Sequence, residues 1–317
     1  DRRMDEMMAK PKNMSPAEIR LTTFSLKYNT AYWLSIEGLG RHWERAKANA
    51  AVKGPSAIEL KTENVTHLSL NLPANQTLLA AGKPVSIQLD KSNITAPAPA
   101  PGQPWSVKLQ KNGTAWAIAK GGSDRELRKS PGLQGPIDDA FSRSFLIVRP
   151  TGTSQSPEIG KWVKAELDDS IQQWWRQFRG HPRLKDDTAV TDADIAEHDL
   201  ILWGDPKSNA VLAKILSKLP LTWDATTLKL GGATGVAASQ VPVMIFPNPL
   251  NPKRYVVLNT GFTFSEFGSA SNSQQTPKLP DWALIDTTIP RAQRIPKGVV
   301  TAGFFDERWQ WEKPSGK

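Results

Sequence analysis

From Arg20 onward the apolar residues of this chain recur at every second position. RLTTFSL (20–26), AYWLSIE (31–37), THLSLNL (66–72), VSIQLD (85–90), WSVKLQ (105–110) and TAWAIA (114–119) are rich in β-branched or aromatic residues, and Gly, Pro and Asn separate them. A period of two places alternate side chains on opposite faces of a strand, so each segment buries one face and wets the other. Short strands at this spacing predict an antiparallel β-sandwich-like domain over residues 19–125. Two stretches interrupt the pattern. Ala96–Pro104, APAPAPGQP, cannot join a central ladder and is expected outside the sheets. Gly38–Ala51, GLGRHWERAKANAA, reads as a short helix or an ordered loop at the sheet edge.

The period changes at a Pro/Gly-rich joint, residues 126–143, most of which lies in KSPGLQGPIDDAFSRSFLIVRPTG (129–152). Phe145–Val148 is apolar without a break, as a strand buried on both faces would be. Ser156 then offers an N-cap and Pro157 a first helical residue. Ile159, Val163, Leu167, Ile171, Trp174 and Phe178 follow at spacings of three and four. This helix is expected to carry Arg176 and Arg179 in its last turn and to end at Gly180. A shorter helix is predicted over Asp192–His198, capped by Thr191 with Asp194 three residues on, and another over Asn209–Leu219. Leu200–Trp203, Val241–Phe246 and Tyr255–Asn259 are further strands, the last two around the turn PNPLNPKR.

The β-α-β-α-β order predicts a small doubly wound α/β domain over residues 144–265. The fold class is therefore α/β plus all-β. Residues 266–317 read as an irregular C-terminal extension in which GFFDERWQW docks back onto the body. Residues 1–18 read as a helical tail and a linker, and the start DRRMDEMMAKPKNM as the end of a charged helix belonging to a longer polypeptide.

At 317 residues the chain can carry two cores of ordinary size. Its net charge is +9, but the 40 basic residues are dispersed, with no Arg/Lys stripe between aromatics, so no nucleic-acid partner is expected. No apolar run approaches the ~18 residues that a membrane-spanning helix requires. The absence of cysteine excludes disulfides, thiolate metal sites and a cysteine nucleophile. Asn64, Asn75, Asn93 and Asn112 stand in Asn-x-Ser/Thr patterns that matter only in a glycosylating host. Twelve tryptophans invite a carbohydrate- or cell-surface-binding reading. Trp33, Trp105, Trp116, Trp162, Trp174 and Trp203 fall at apolar positions of predicted elements, however, leaving Trp43 and Trp175 as the expected exposed ones.

No catalytic residue is identified. There is no Gly-x-Ser-x-Gly elbow, and none of His42, His67, His181 and His198 has a serine partner that the sequence identifies. Asp194 and His198 share a helical face, and with Asp192 and Asp199 they could ligate a metal. A solvated, N-terminally acidic helix explains the same residues and is preferred, so no metal or other cofactor is expected. The strongest site candidate is the turn Gly204-Asp205-Pro206-Lys207-Ser208-Asn209, after a buried strand and before a helix, where open α/β sheets bind ligands. Its Gly204, Asp205, Lys207, Ser208 and Asn209, with Thr151 and Thr153 of the preceding loop, could hold an anionic small molecule. The plainer alternative is a tight turn with Ser208 as an ordinary N-cap.

Several segments together resemble the C-terminal part of the large prolyl-oligopeptidase-like proteins of environmental bacteria. These are RLTTFSLKYNTAYWLSIEGLGRHWERAKANA, SPGLQGPIDDAFSRSFLIVRPTG, DLILWGDPKSN and VPVMIFPNPLNPKRYVVLNTGFTF followed by KLPDWALI, spanning most of residues 20–286. In that family an α/β-hydrolase peptidase domain comes first, with its Ser, Asp and His in that order. The resemblance implies that all three lie upstream of this chain, and no catalytic residue carries over onto it. It implies a non-catalytic accessory region whose partner is the upstream α/β-hydrolase domain of the same polypeptide. The parent serine hydrolase would take a peptide or ester substrate, and a periplasmic or secreted location would be directed by an upstream targeting segment.

Overall fold

A computed structural model describes residues 2–9, 15–74, 78–119, 127–263 and 278–312. The chain is a mixed α/β protein built mostly of strands, and it divides into two compact units. The first comprises residues 1–126 and 130–132; the second comprises 127–129 and 133–317. The joint therefore does not stand between the units as a separate linker, because most of it belongs to the second.

The first unit opens with helix α1 (Arg2–Met8). Its strands are β1 (Glu18–Thr23), β2 (Thr30–Ala31), β3 (Leu34–Leu39), β4 (Ala46–Val52) and β5 (Ala57–Glu63). They continue with β6 (Val65–Leu72), β7 (Val85–Leu89), β8 (Ser92–Ala96), β9 (Trp105–Asn112) and β10 (Ala115–Ile118). Two five-stranded sheets result, in the orders β1-β4-β5-β7-β8 and β10-β9-β6-β3-β2. All pairings are antiparallel except β5 with β7, which runs parallel. The alternation seen in the sequence becomes the burial pattern. Ile19 and Leu21 of β1, Val85, Ile87 and Leu89 of β7, and Leu68, Leu70 and Leu72 of β6 enter one apolar cluster. Each such side chain contributes on the order of 1.5–3 kcal/mol on burial.

Gly38–Ala51 is the main correction in this unit. It contains neither a helix nor an edge loop: its second half is β4, hydrogen-bonded on one side to β1 and on the other to β5. Ala46, Ala48 and Ala50 alternate into the core. Alanine's helix propensity hides this period of two, but burial between two sheet partners overrides it. The Pro-rich segment after Ala96 lies outside the strands, as expected.

The second unit contains β11 (Phe145–Arg149), α2 (Pro157–Phe178), β12 (Leu184–Asp186), α3 (Asp192–Glu197), β13 (Asp199–Leu202) and α4 (Ala210–Ile215). A three-stranded meander follows, β14 (Leu221–Trp223), β15 (Leu228–Leu230) and β16 (Ala233–Gly235). Then come β17 (Gln240–Asn248), β18 (Asn251–Leu258), β19 (Trp282–Asp286) and β20 (Val299–Gly303). The main sheet has seven strands in the order β12-β11-β13-β18-β17-β19-β20. β12, β11, β13 and β18 pair in parallel, whereas β17, β19 and β20 pair antiparallel. The unbroken apolar runs occupy its interior, with Leu200, Ile201 and Leu202 beside Val256, Val257 and Leu258.

Residues 266–317 are thus not simply an irregular extension. Their described part supplies β19 and β20 to the main sheet, and the predicted domain end at 265 cuts that sheet. The docking of GFFDERWQW holds: Phe305 and Trp309 are buried, and Phe305 bridges to Trp311. Ser156 and Pro157 start α2 as predicted, and Thr191 with Asp194 forms a full capping box on α3. The left-handed residue that ends α2 is Arg179, at φ 57°, with its guanidinium over the Trp175 ring, rather than Gly180.

Buried and part-buried polar contacts bind the joint into this unit. Lys129 Nζ donates to Asp281 Oδ2 at 2.7 Å, with both side chains fully buried. The Asp281 carboxylate also accepts the Phe305 N–H, and the ammonium lies 5.3 Å from the Trp309 ring. Gly135 donates its N–H to the Tyr255 hydroxyl, which donates to Asp139 at 2.9 Å. Gly135 sits at φ 75°, and a Cβ there would lie 2.2 Å from Asp281 Oδ1, so this position requires glycine. Asp138 accepts from the Thr263 N–H and hydroxyl. Arg143 donates twice to Asp199, at 2.6 and 2.9 Å. Burial raises the Asp199 carboxyl above its ordinary value, against the pull of Arg143. Burial also works against charge on Arg143, but Asp199 outweighs it and raises the guanidinium. Two short hydrogen bonds and the Tyr255 N–H on Asp199 favour the charged pair.

Removing one member of a buried pair strands the other charge at a cost of about 3–5 kcal/mol. Lys129→Met and Asp281→Leu should each lose about that much unfolding free energy in denaturant titration, and the double variant should recover most of it.

Candidate functional site

The parallel strands β11 and β13 end beside each other, and the loops leaving them meet. Gly152 donates its N–H to the Ser208 carbonyl at 2.9 Å, and Ser154 Oγ donates to Asp205 Oδ2. These bonds join the loop after β11 to the 204–209 turn. The absence of side chains permits this approach. A Cβ on Gly152 would lie 2.9 Å from the Lys207 carbonyl oxygen. One on Gly204, which sits at φ 104°, would lie 2.6 Å from Ser208 Oγ and 3.0 Å from Pro150.

The turn itself is closed by its own acid. The buried Asp205 carboxylate accepts the N–H groups of Lys207 (2.9 Å), Ser208 (3.0 Å) and Gln155 (3.1 Å) as well as the Ser154 hydroxyl. Ser208 Oγ in turn accepts the Asp205 N–H, and Asn259 accepts the Gly204 N–H. Asn209, not Ser208, is the N-cap of α4, accepting from Leu212 and donating to the Trp203 carbonyl. Asp187 takes the Ala210 N–H at 2.6 Å. The N–H groups of the turn and of the helix start are therefore taken up within the protein, by the Asp205 and Asp187 carboxylates, the Ser208 hydroxyl, the Asn259 amide and the Asp205 carbonyl. Lys207 is exposed, and its ammonium has no hydrogen-bond or ion-pair partner among the described residues. Thr151 and Thr153 are exposed.

Beside this turn lies a cavity of about 340 Å³, bounded by Gly152, Ser154, Gly204 and Ser208 on the loop side. Pro150, Val163 and Leu167 form its apolar wall, and Arg149, Lys164 and Asp168 are its charged groups. Gly160 completes it from the first turns of α2. Of the seven residues predicted for the site, only Gly204 and Ser208 line the cavity. The wall from α2 escaped the sequence reading, although Gly160 in an otherwise regular helical pattern was an available signal.

The other candidates resolve into structural roles. Ser144 Oγ and His198 Nδ1 are 2.8 Å apart, a pairing that the sequence did not reveal. It lies at the amino ends of β11 and β13, opposite the crevice, and His198 Nε2 bonds to no described residue. A hydrolytic histidine instead faces serine with one nitrogen while a carboxylate orients the other. His67 bonds to Thr66. Asp194, from the metal reading, is held by Lys185 at 2.7 and 2.8 Å and by Thr191, while Asp199 belongs to Arg143. No group of three or more candidate ligands occurs among the described residues. Trp43 and Trp175 are exposed, as expected.

Comparisons of the chain with protein families, with characterised proteins and with solved structures find no match. No described helix is long and apolar enough to cross a membrane.

Two outcomes follow. Asp205→Ala leaves several buried donors unpaired and should cost about 3 kcal/mol in denaturant titration. Lys185, foremost, and Thr191 lower the Asp194 carboxyl to about 2. A depressed native value contributes stability present above the unfolded carboxylate value, about 4, and lost as pH falls from there through about 2. Asp194→Asn should therefore lower the melting temperature at pH 7 and flatten its decline between about pH 4 and pH 2.

Proposed function

We propose that this chain is a non-catalytic accessory region of a prolyl-oligopeptidase-like serine hydrolase. In this reading the first unit is a β-sandwich and the second a small doubly wound α/β domain. Its partner is an upstream α/β-hydrolase domain of the same polypeptide, which acts on a peptide or ester outside the cytoplasm. The region orients that domain, restricts access to its cleft or binds a further partner.

The observation that carries the reading is the use made of the serines at the carboxyl edge of β11 and β13. Open α/β sheets present their reacting groups at that edge. Here the Ser154 hydroxyl is donated to Asp205, and Ser208 Oγ is engaged with the Asp205 backbone. Activation of a serine requires its hydroxyl to face a general base. Ser144, which does face a histidine, lies at the opposite strand ends, where His198 meets it through Nδ1.

A fluorophosphonate probe tests this directly. It should label a parent protein that includes the upstream domain and leave residues 1–317 unlabelled. Stoichiometric modification of any serine within this chain, Ser144 included, would overturn the proposal.

A further inference from the structure

The 340 Å³ cavity at the carboxyl edge has a composition that the proposed accessory role does not use. One wall is apolar, formed by Pro150 with the buried Val163 and Leu167 of α2. The charged groups are Arg149, at the end of β11, and Lys164 and Asp168, one turn apart on α2. Small-molecule sites combine such an apolar surface with a few convergent polar groups, and in α/β sheets they lie at this edge.

The state of the two cations indicates what the cavity takes. Arg149 is oriented by Asp186, with Nε and Nη2 each 2.6 Å from Oδ1, yet its side chain remains 51% exposed. Its fork is therefore fixed but still open to a further acceptor. Lys164 meets Asp168 at 3.0 Å with the two side chains 81% and 64% exposed. An i,i+4 pair as exposed as this is weak, so the ammonium can exchange Asp168 for another carboxylate at little cost. Asp168 and Asp186 together balance the two cations, so an entering acid takes the place of Asp168 beside Lys164 and joins Asp186 at the exposed side of the Arg149 guanidinium.

Gly160 supports the same reading. Glycine within a helix costs about 1 kcal/mol relative to alanine. At this position a Cβ would press on Ser154 at 3.1 Å, on the loop that borders the cavity. Because the turn N–H groups are already taken by Asp205, an acid entering here must be recognised by side chains rather than by the helix start.

We propose that this cavity binds a small amphipathic carboxylate, with its acid between Arg149 and Lys164 and its hydrocarbon part against Pro150, Val163 and Leu167. Binding in this class does not depend on the hydrolase assignment.

The test is a ¹H–¹⁵N titration of the full chain with hexanoate, hexanol and hexylamine. Hexanoate should shift the amides of Gly152, Gly160 and Gly204 with a Kd of about 1 mM, as befits so small a ligand. Hexanol and hexylamine should bind at least about tenfold more weakly. Arg149→Gln and Lys164→Glu, both at exposed side chains, should each weaken hexanoate about tenfold while leaving the melting temperature in place. No shift of these amides at about 10 mM hexanoate overturns the proposal, as does equal binding of the alcohol. Hexanoate affinity unchanged in both variants also overturns it. If a variant melts early, raising the salt concentration on the wild type provides the alternative readout. Hexanoate affinity should fall with salt, and a salt-independent affinity counts against the proposal.

Discussion

The ion pair between Lys129 and Asp281 is the constraint on which the second unit depends. Both side chains are removed from water, so each charge is tolerable only because the other is present. The two residues lie 152 positions apart, at the start of the joint and directly before β19. The pair therefore fixes the beginning of the unit to its last strands. Asp281 also takes the Phe305 N–H, which brings the C-terminal Phe305–Trp311 turn to the same point. Gly135, Asp139 and Arg143 extend the attachment to Tyr255 and Asp199, so that β11 leaves the joint already in register with β13.

The same economy of polar groups governs the carboxyl edge. Asp205 is buried and is held by a hydroxyl and three N–H groups. This arrangement ties the loop after β11 to the turn after β13. It also commits the groups that catalysis or anion capture at the turn would need to leave uncommitted. What remains available is the adjoining cavity, whose polar groups are long, exposed side chains on β11 and α2. Rigidity at the turn and openness beside it have one origin.

Much of this was legible in the sequence, and the failures have physical causes. Strands with bulky alternating residues were visible because their period matches their burial. β4 was not, because Ala46, Ala48 and Ala50 alternate as faithfully as any but carry the residue type that favours helix. Trp282–Asp286 is a short run whose partner, β17, lies about forty residues earlier, and local pattern cannot announce such a pairing. The strand–turn–helix order around Gly204 pointed to this edge of the sheet, but the sequence cannot say whether Asp205 points outward or caps its own turn. Lys129 was one of the dispersed basic residues, and nothing local marks a lysine for burial.

The most direct test of the central role of Lys129 and Asp281 is native-state hydrogen exchange in Lys129→Met. The Phe305 N–H bonds to Asp281, and the Ile137 N–H bonds to Pro280 beside it. These amides should lose protection together with Gly135, by a factor of roughly a hundred or more. Protection at Phe305, Ile137 and Gly135 that stays at the wild-type level would contradict the account.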